Sequence, residues 1–218
     1  MDPLTSLKVH KFTWNPVREN AYVIYDSTGE CLIVDPGCYE QAEKDELSEF
    51  ISSHHLLPVK LLNTHCHFDH VLGNRFVAER YGLAPFIHKL ELQVLDSIPA
   101  YAPSYGFNYE LSPAPGGFLD ERDQISIGRS KLKVLFTPGH SPGSLSFLSP
   151  EGGFVLGGDV LFYESIGRTD LPGCDLNVLS ASIREKLYTL PDETLVHAGH
   201  GWETTIGHEK RNNPYVRP

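Results

Sequence analysis

Residues 64–70, Thr-His-Cys-His-Phe-Asp-His, place three imidazoles and one carboxylate within six positions, directly after the apolar run 59–62. On a regular strand His65 and His67 share a face, while the adjacent Asp69 and His70 diverge. A tight loop would aim His65 and His67 at one ion, with Asp69 and His70 at a second ion beside it. Imidazole and carboxylate together are ligands for zinc, iron or manganese. A histidine-rich surface loop is the blander reading, but further donors lie along the chain. His140 sits in Thr-Pro-Gly-His-Ser-Pro-Gly (137–143), Asp159 ends Gly-Gly-Asp (157–159), and His200 sits in His-Ala-Gly-His-Gly (197–201). Each follows an apolar run and is flanked by glycines that allow tight turns and close backbone approach.

The segment 139–143, Gly-His-Ser-Pro-Gly, also satisfies the G-x-S-x-G pattern of a serine nucleophile elbow. That motif needs a helix directly after the serine. Pro142, Gly143 and the strand-like 145–148 follow instead, so the elbow is rejected. Cys66 lies between two candidate ligands, with its side chain expected on the opposite face, in packing.

The elements that must position these donors follow from periodicity. Strands are expected at 7–13, 21–25 and 31–34, the last two joined by the turn-forming Asp-Ser-Thr-Gly at 26–29. Leu47, Phe50 and Ile51 predict a helix over 41–53. The run 59–62 reads as a buried strand, and a helix is expected over 71–81. Residues 100–117, dominated by Pro, Tyr and Gly, read as a long irregular loop. Such loops are more often functional than idle, and Tyr101, Tyr105 and Tyr109 are candidates to line a pocket. Leu132, Val134 and Phe136 alternate as a strand, and 145–148, 154–156 and 194–196 follow. Leu179, Ile183, Leu187 and Leu190 define one helix face, which Pro191 stops. Strands mixed with helices in both halves predict one α/β domain over 1–218, with two sheets and the helices outside.

Bulk properties agree with an ordinary globular protein. The 218 residues are 40% hydrophobic and 21% charged, enough to bury a core. A net charge of −10 argues against nucleic acid as partner, since that binding draws on Lys and Arg. No apolar run is long enough to span a bilayer, so no membrane partner is expected. The first ten residues lack the pattern of a secretory signal, and the four cysteines form no CxxC pair. Free thiols and a cytoplasmic location are the expectation.

The order of the motifs resembles the metallo-β-lactamase superfamily: Thr-His-x-His-x-Asp-His at 64–70, Pro-Gly-His at 138–140, Gly-Asp at 158–159 and Gly-His-Gly at 199–201. Within it the chain is similar to the glyoxalase II group, the hydroxyacylglutathione hydrolases, and above all to its short bacterial members. The stretches 165–173 and 203–214 add to that likeness. The resemblance implies an αββα sandwich of two mixed β-sheets with helices on the outer faces and metals at one edge. It implies two divalent ions, zinc first, with iron or manganese as alternatives. His65, His67 and His140 would hold one and Asp69, His70 and His200 the other, with Asp159 bridging both. Asp69 and Asp159 are the expected catalytic carboxylates.

The expected activity is hydrolysis of a small thioester such as S-D-lactoylglutathione, by hydroxide generated at the dinuclear site. Arg168 stands where that group places a basic glutathione contact, and Lys210 and Arg211 are further candidates for substrate binding. Arg168 also has a structural reading, as the ion-pair partner of Asp170. A persulfide dioxygenase of the same fold, using one iron, is the principal alternative. It would share His65, His140, Asp159 and the Gly-Arg-Thr-Asp stretch at 167–170. A lactonase or another hydrolase of the fold also fits the ligand set, and a non-catalytic metal-binding protein is the alternative from a different class.

Overall fold

In a computed structural model, which describes residues 7–218, two six-stranded sheets stack face to face between helices. Most of the N-terminal stretch read above for a secretory signal, residues 1–6, lies outside the described residues. β1 (Lys8–Trp14), β2 (Glu19–Tyr25) and β3 (Glu30–Val34) pair antiparallel. β4 (Leu57–Leu62), β5 (Pro85–Ile87) and β6 (Gly117–Phe118) extend that sheet in parallel, in the order β1-β2-β3-β4-β5-β6. The second sheet holds β7 (Gln124–Ile127), β8 (Ser130–Phe136), β9 (Leu145–Ser149) and β10 (Phe154–Gly158). A small hairpin of β11 (Leu161–Phe162) and β12 (Ser165–Ile166) intervenes before β13 (Leu195–Ala198) and β14 (Thr204–Thr205) complete the order β14-β13-β10-β9-β8-β7.

Period-2 alternation builds the layers. Tyr22 and Ile24 of β2, with Leu32 and Val34 of β3, meet Leu132 and Val134 of β8, Phe147 of β9 and Leu156 of β10 between the sheets. The other face of the first sheet, with Val23, Ile33 and Leu61, packs on Leu47 and Ile51 of α1 (Gln41–Ser53). The sequence expectation of two sheets with outer helices is met.

Three details differ from the expectation. The helix read as 71–81 is two pieces, α2 (Phe68–Val71) and α3 (Asn74–Tyr81), parted at Gly73, where the backbone comes within hydrogen-bond range of the Pro36 carbonyl (2.6 Å). Asp69 and His70 therefore lie on a helical turn, not a loop. The irregular stretch expected from residue 100 begins only after α4 (Leu92–Tyr101) and a 3₁₀ turn, Ala102–Tyr105. Pro99 inside α4 disguised the Leu92, Leu95, Ile98 stripe; lacking an N–H, it cannot bond back to the Leu95 carbonyl, and the helix ends two residues later. The helix around Leu179 is α5 (Leu176–Ser182), continued by a π-turn over Ile183–Leu187. A four-residue spacing drifts around an α-helix of 3.6 residues per turn, and the wider π-turn keeps Leu179, Ile183 and Leu187 in one buried cluster. The last helix is α6 (Ile206–Asn212). No helix among the described residues is long and apolar enough to cross a membrane.

Candidate metal centre

β3 and β4 run parallel in the first sheet; β8, β10 and β13 share one direction in the second. The segments that leave these five strands therefore emerge at one edge. They carry Asp35, His65–His70, His140, Asp159 and His200. Cross-links between the sheets hold this edge shut. Asn20 N–H donates to Gly199 O (2.7 Å), the Tyr22 hydroxyl donates to Ala198 O (2.7 Å), and Leu145 N–H donates to Thr64 O (2.7 Å).

All seven candidate ligands come together. The donor atoms of His65, His67 and His140 lie within 4.8 Å of one another, and so do those of Asp69, His70 and His200. Asp159 stands between the sets. Its Oδ1 is 3.4 Å from His70 Nε2, and its Oδ2 is 3.4 Å from His140 Nε2 and 3.6 Å from His200 Nε2. Asp69 Oδ2 lies 3.1 Å from His200 Nε2. Gly199 makes room for this packing, since a Cβ there would overlap Asp159 Oδ1 and approach the His70 ring to 2.8 Å.

The imidazoles are aimed by partners on their far nitrogens. His70 Nδ1–H donates to Asp35 Oδ2 (3.1 Å), His140 Nδ1–H to the Arg168 carbonyl (2.8 Å) and His200 Nδ1–H to the Arg18 carbonyl (3.2 Å). Thr64 Oγ1 donates to Asp35 Oδ2 (2.6 Å) and so accepts from His65 Nδ1, 3.1 Å away. Each bond fixes the tautomer that leaves an Nε2 lone pair facing inward. His67 instead presents Nδ1, 2.9 Å from His140 Nε2.

The fit to metal rests on the atoms left over. His65 Nε2, His70 Nε2 and Asp159 Oδ1 are buried with no hydrogen-bond partner. Each orphaned buried polar group costs about 1–3 kcal/mol, which coordination would relieve. Hard-to-borderline divalent cations suit this nitrogen and carboxylate set.

The electrostatics point the same way. Burial and the neighbouring rings of His70, His67 and His140 hold His65 well below its ordinary value, and burial with His140 takes His67 down to about 3. These rings are neutral, ready ligands at physiological pH. Burial also opposes charge on His70 and His200, but Asp159 and Asp69 outweigh it and raise both. Burial opposes ionisation of Asp159 and Asp69, yet His70 and His200 hold both below the usual carboxylate range. The second set thus carries anionic charge that needs either protons or a cation.

Two positioning carboxylates escaped the sequence reading. Asp35 directly follows β3 as Asp159 directly follows β10, a strand-end signal that was there to be used. Glu91 gave none. It sits 25 residues from Cys66 and 50 from Ser141, yet it accepts from the N–H groups of Cys66 (2.7 Å) and Gly143 (2.7 Å) and from Ser141 Oγ (2.5 Å). It pins the His65–His67 segment to the His140 loop.

The donors open onto a cavity of about 870 Å³. Tyr101, Tyr105 and Arg168 line it, whereas Tyr109 does not, its hydroxyl accepting from Ser112 N–H (3.2 Å). Arg168 is also forked onto Asp170, at 2.7 and 2.8 Å, so both readings of that residue meet in one place. α6 turns Lys210 and Arg211 onto Asp192 (2.7 and 3.4 Å), and neither lines the cavity. Cys66 packs with Phe68, Val71 and Ile87.

Known proteins give the same picture. The profile described as the metallo-beta-lactamase superfamily matches residues 14–200. The chain is 38% identical over 211 residues to a probable metallo-hydrolase, YqgX, of Bacillus subtilis, covering 96% of this chain and 98% of that one. It is 34% identical to the hydroxyacylglutathione hydrolase GloC of Haemophilus influenzae, over 91% of this chain and 93% of the relative. Among solved structures, BLEG-1 B3 metallo-beta-lactamase superposes with a TM-score of 0.88 at 34% identity, covering 97% of this chain and 100% of that one. TTHA1623 in a di-iron-bound form superposes with a TM-score of 0.85 at 38% identity, covering 95% of this chain and all of that one. On its profile, its relatives and the donor set at its sheet edge, the chain belongs to the metallo-beta-lactamase superfamily.

Proposed function

We propose that this metal-dependent hydrolase is a thioesterase; the observation that carries the reading is Asp159, which lines the cavity and stands between the His65, His67, His140 set and the Asp69, His70, His200 set. His65, His67 and His140 would hold one cation, and Asp69, His70 and His200 the other. Divalent ions there would supply Lewis acidity, readying water as a nucleophile at neutral pH and drawing charge from a carbonyl oxygen. Zinc suits the set, and the 38% identical di-iron protein supports iron as the alternative.

The chain's own groups do the rest. Asp35 and the carbonyls of Arg168 and Arg18 keep the rings aimed, so little reorganisation is needed at the moment of reaction. Asp69 and Asp159 both face the cavity and can accept a proton from the attacking water. The water oxygen forms the new C–O bond, the C–S bond breaks, and its electron pair leaves on sulfur as thiolate. No carboxyl, thiol or imidazole beyond the seven lines the cavity among the described residues. A leaving group that needs a strong acid would be poorly served there; a thiolate needs none. The 34% identity to GloC, a hydroxyacylglutathione hydrolase, supports the same class.

The test is metal analysis of the purified protein together with turnover of S-D-lactoylglutathione and a simple acyl thioester. Two metals per chain and thioester cleavage are expected. One iron, with oxygen uptake on a persulfide, would instead identify a dioxygenase.

A further inference from the structure

Outside the seven donors, the cavity wall is mostly apolar. Phe68, between His67 and Asp69 in the chain, lines the cavity together with them. The Phe68 ring is 5.5 Å from Tyr105 and 6.1 Å from Tyr101, and Val94 and Leu171 extend the lining. Among the described residues, Arg168 is the one charged side chain of the lining that is not a candidate ligand. Its pair with Asp170 is more than half exposed on both sides, so exchanging Asp170 for a substrate carboxylate would cost little. The wall can thus answer one remote anionic group. A glutathionyl tail brings two carboxylates and an ammonium, and Lys210 and Arg211 are turned away onto Asp192.

From this charge balance and the aromatic wall, we infer that the substrates are thioesters with an apolar acyl chain of several carbons. The chain lies against Phe68, Tyr101 and Tyr105, while the thiol half extends toward Arg168 and need not be glutathione. The inference rests on the thioesterase reading. A polar acyl group such as lactoyl leaves this wall unfilled, whereas each methylene buried on it strengthens binding.

Two measurements on the metal-loaded full chain test it. The first is turnover of acetyl, butanoyl and hexanoyl thioesters of N-acetylcysteamine and of glutathione. The kcat/KM should rise about fourfold per methylene, and glutathione should add less than about tenfold. The second is calorimetric binding of ethyl, butyl and hexyl thioethers of N-acetylcysteamine, which cannot be hydrolysed. Affinity should climb with the same slope and with a negative heat-capacity change. The Tyr105→Ala and Leu171→Asp variants should each cut the hexanoyl-to-acetyl ratio by about tenfold.

A flat chain-length profile in both measurements would overturn the inference, as would glutathione esters favoured by more than about a hundredfold. If the thioethers bind with the expected slope and no thioester is cleaved, the apolar site stands and the thioesterase reading falls. If thioesters are cleaved and both profiles are flat, the reverse holds.

Discussion

Glu91 Oε1 accepts a hydrogen bond from Ser141 Oγ at 2.5 Å, linking an otherwise unnoticed carboxylate to the residue that follows the candidate metal ligand His140. Its Oε2 accepts from Cys66 N–H, so a single buried group spans both segments that supply His65, His67 and His140. Burial pushes Glu91 above the usual carboxylate range, and the bonds from Ser141, Cys66 and Gly143 push back. The Glu91→Gln variant keeps the shape but turns an amide N–H₂ toward one set of donors. Metal affinity should drop about 10- to 100-fold and stability by about 1–3 kcal/mol. Chelator competition and thermal melting report the two effects separately.

Asp159 touches both donor sets, and Asp69 touches one. The Asp159→Ala variant should lose turnover and lower the content of both metals, whereas Asp69→Ala should release one metal and keep the other. Elemental analysis per chain decides this. Full turnover with two metals in Asp159→Ala would falsify the bridging role.

Asp35 acts through His70. With Asp35→Asn the anion behind the ring is gone, and the affinity of the Asp69, His70, His200 set should fall about 10- to 100-fold. Two-phase metal titration should show one phase shifting and the other unchanged. A uniform loss across both phases would mean that Asp35 serves the whole edge through Thr64 instead.

The acid–base balance of the metal-free protein predicts a pH trend. Asp159 and Asp69 hold His70 and His200 above their ordinary value of 6.5 despite burial. The folded chain then keeps protons that the unfolded chain has lost. This contribution to stability is complete below pH 6.5 and disappears as pH rises through the folded values. The Tm of chelator-treated protein should fall as pH rises above 6.5. Metal replaces those protons, so binding should release them, and the stabilisation by added metal should grow over the same range. A Tm of the metal-free protein that rises with pH would contradict the shifts.

Arg168 and the pair Lys210 and Arg211 separate two views of substrate contact. The Arg168→Gln variant should raise KM for an anionic thioester several-fold with little change in kcat. It should also release Asp170, now held down to about 2 by its bonds to Arg168, toward its ordinary 3.8. Replacing both Lys210 and Arg211 with Ala should leave KM within about twofold, because neither reaches the cavity. Steady-state kinetics and carboxyl NMR titration read these outcomes.

What the sequence by itself determined was the donor set and the layering. Seven donors at the ends of apolar runs, with alternation along 21–25, 31–34 and 132–136, are local patterns, and local patterns survive folding. The π-turn after α5 and the helix hidden by Pro99 were not legible, since packing against the second sheet and the cavity decides them. Only the tertiary structure could bring Glu91 onto Cys66 and Ser141, aim His70 through Asp35, and turn Lys210 and Arg211 onto Asp192. Those pairings join residues far apart in the chain, where no periodicity reaches, and a long cationic side chain finds its partner only once the elements around it are in place. The 64–70 segment groups four candidate donors; the shared edge of two sheets brings them to His140, Asp159 and His200.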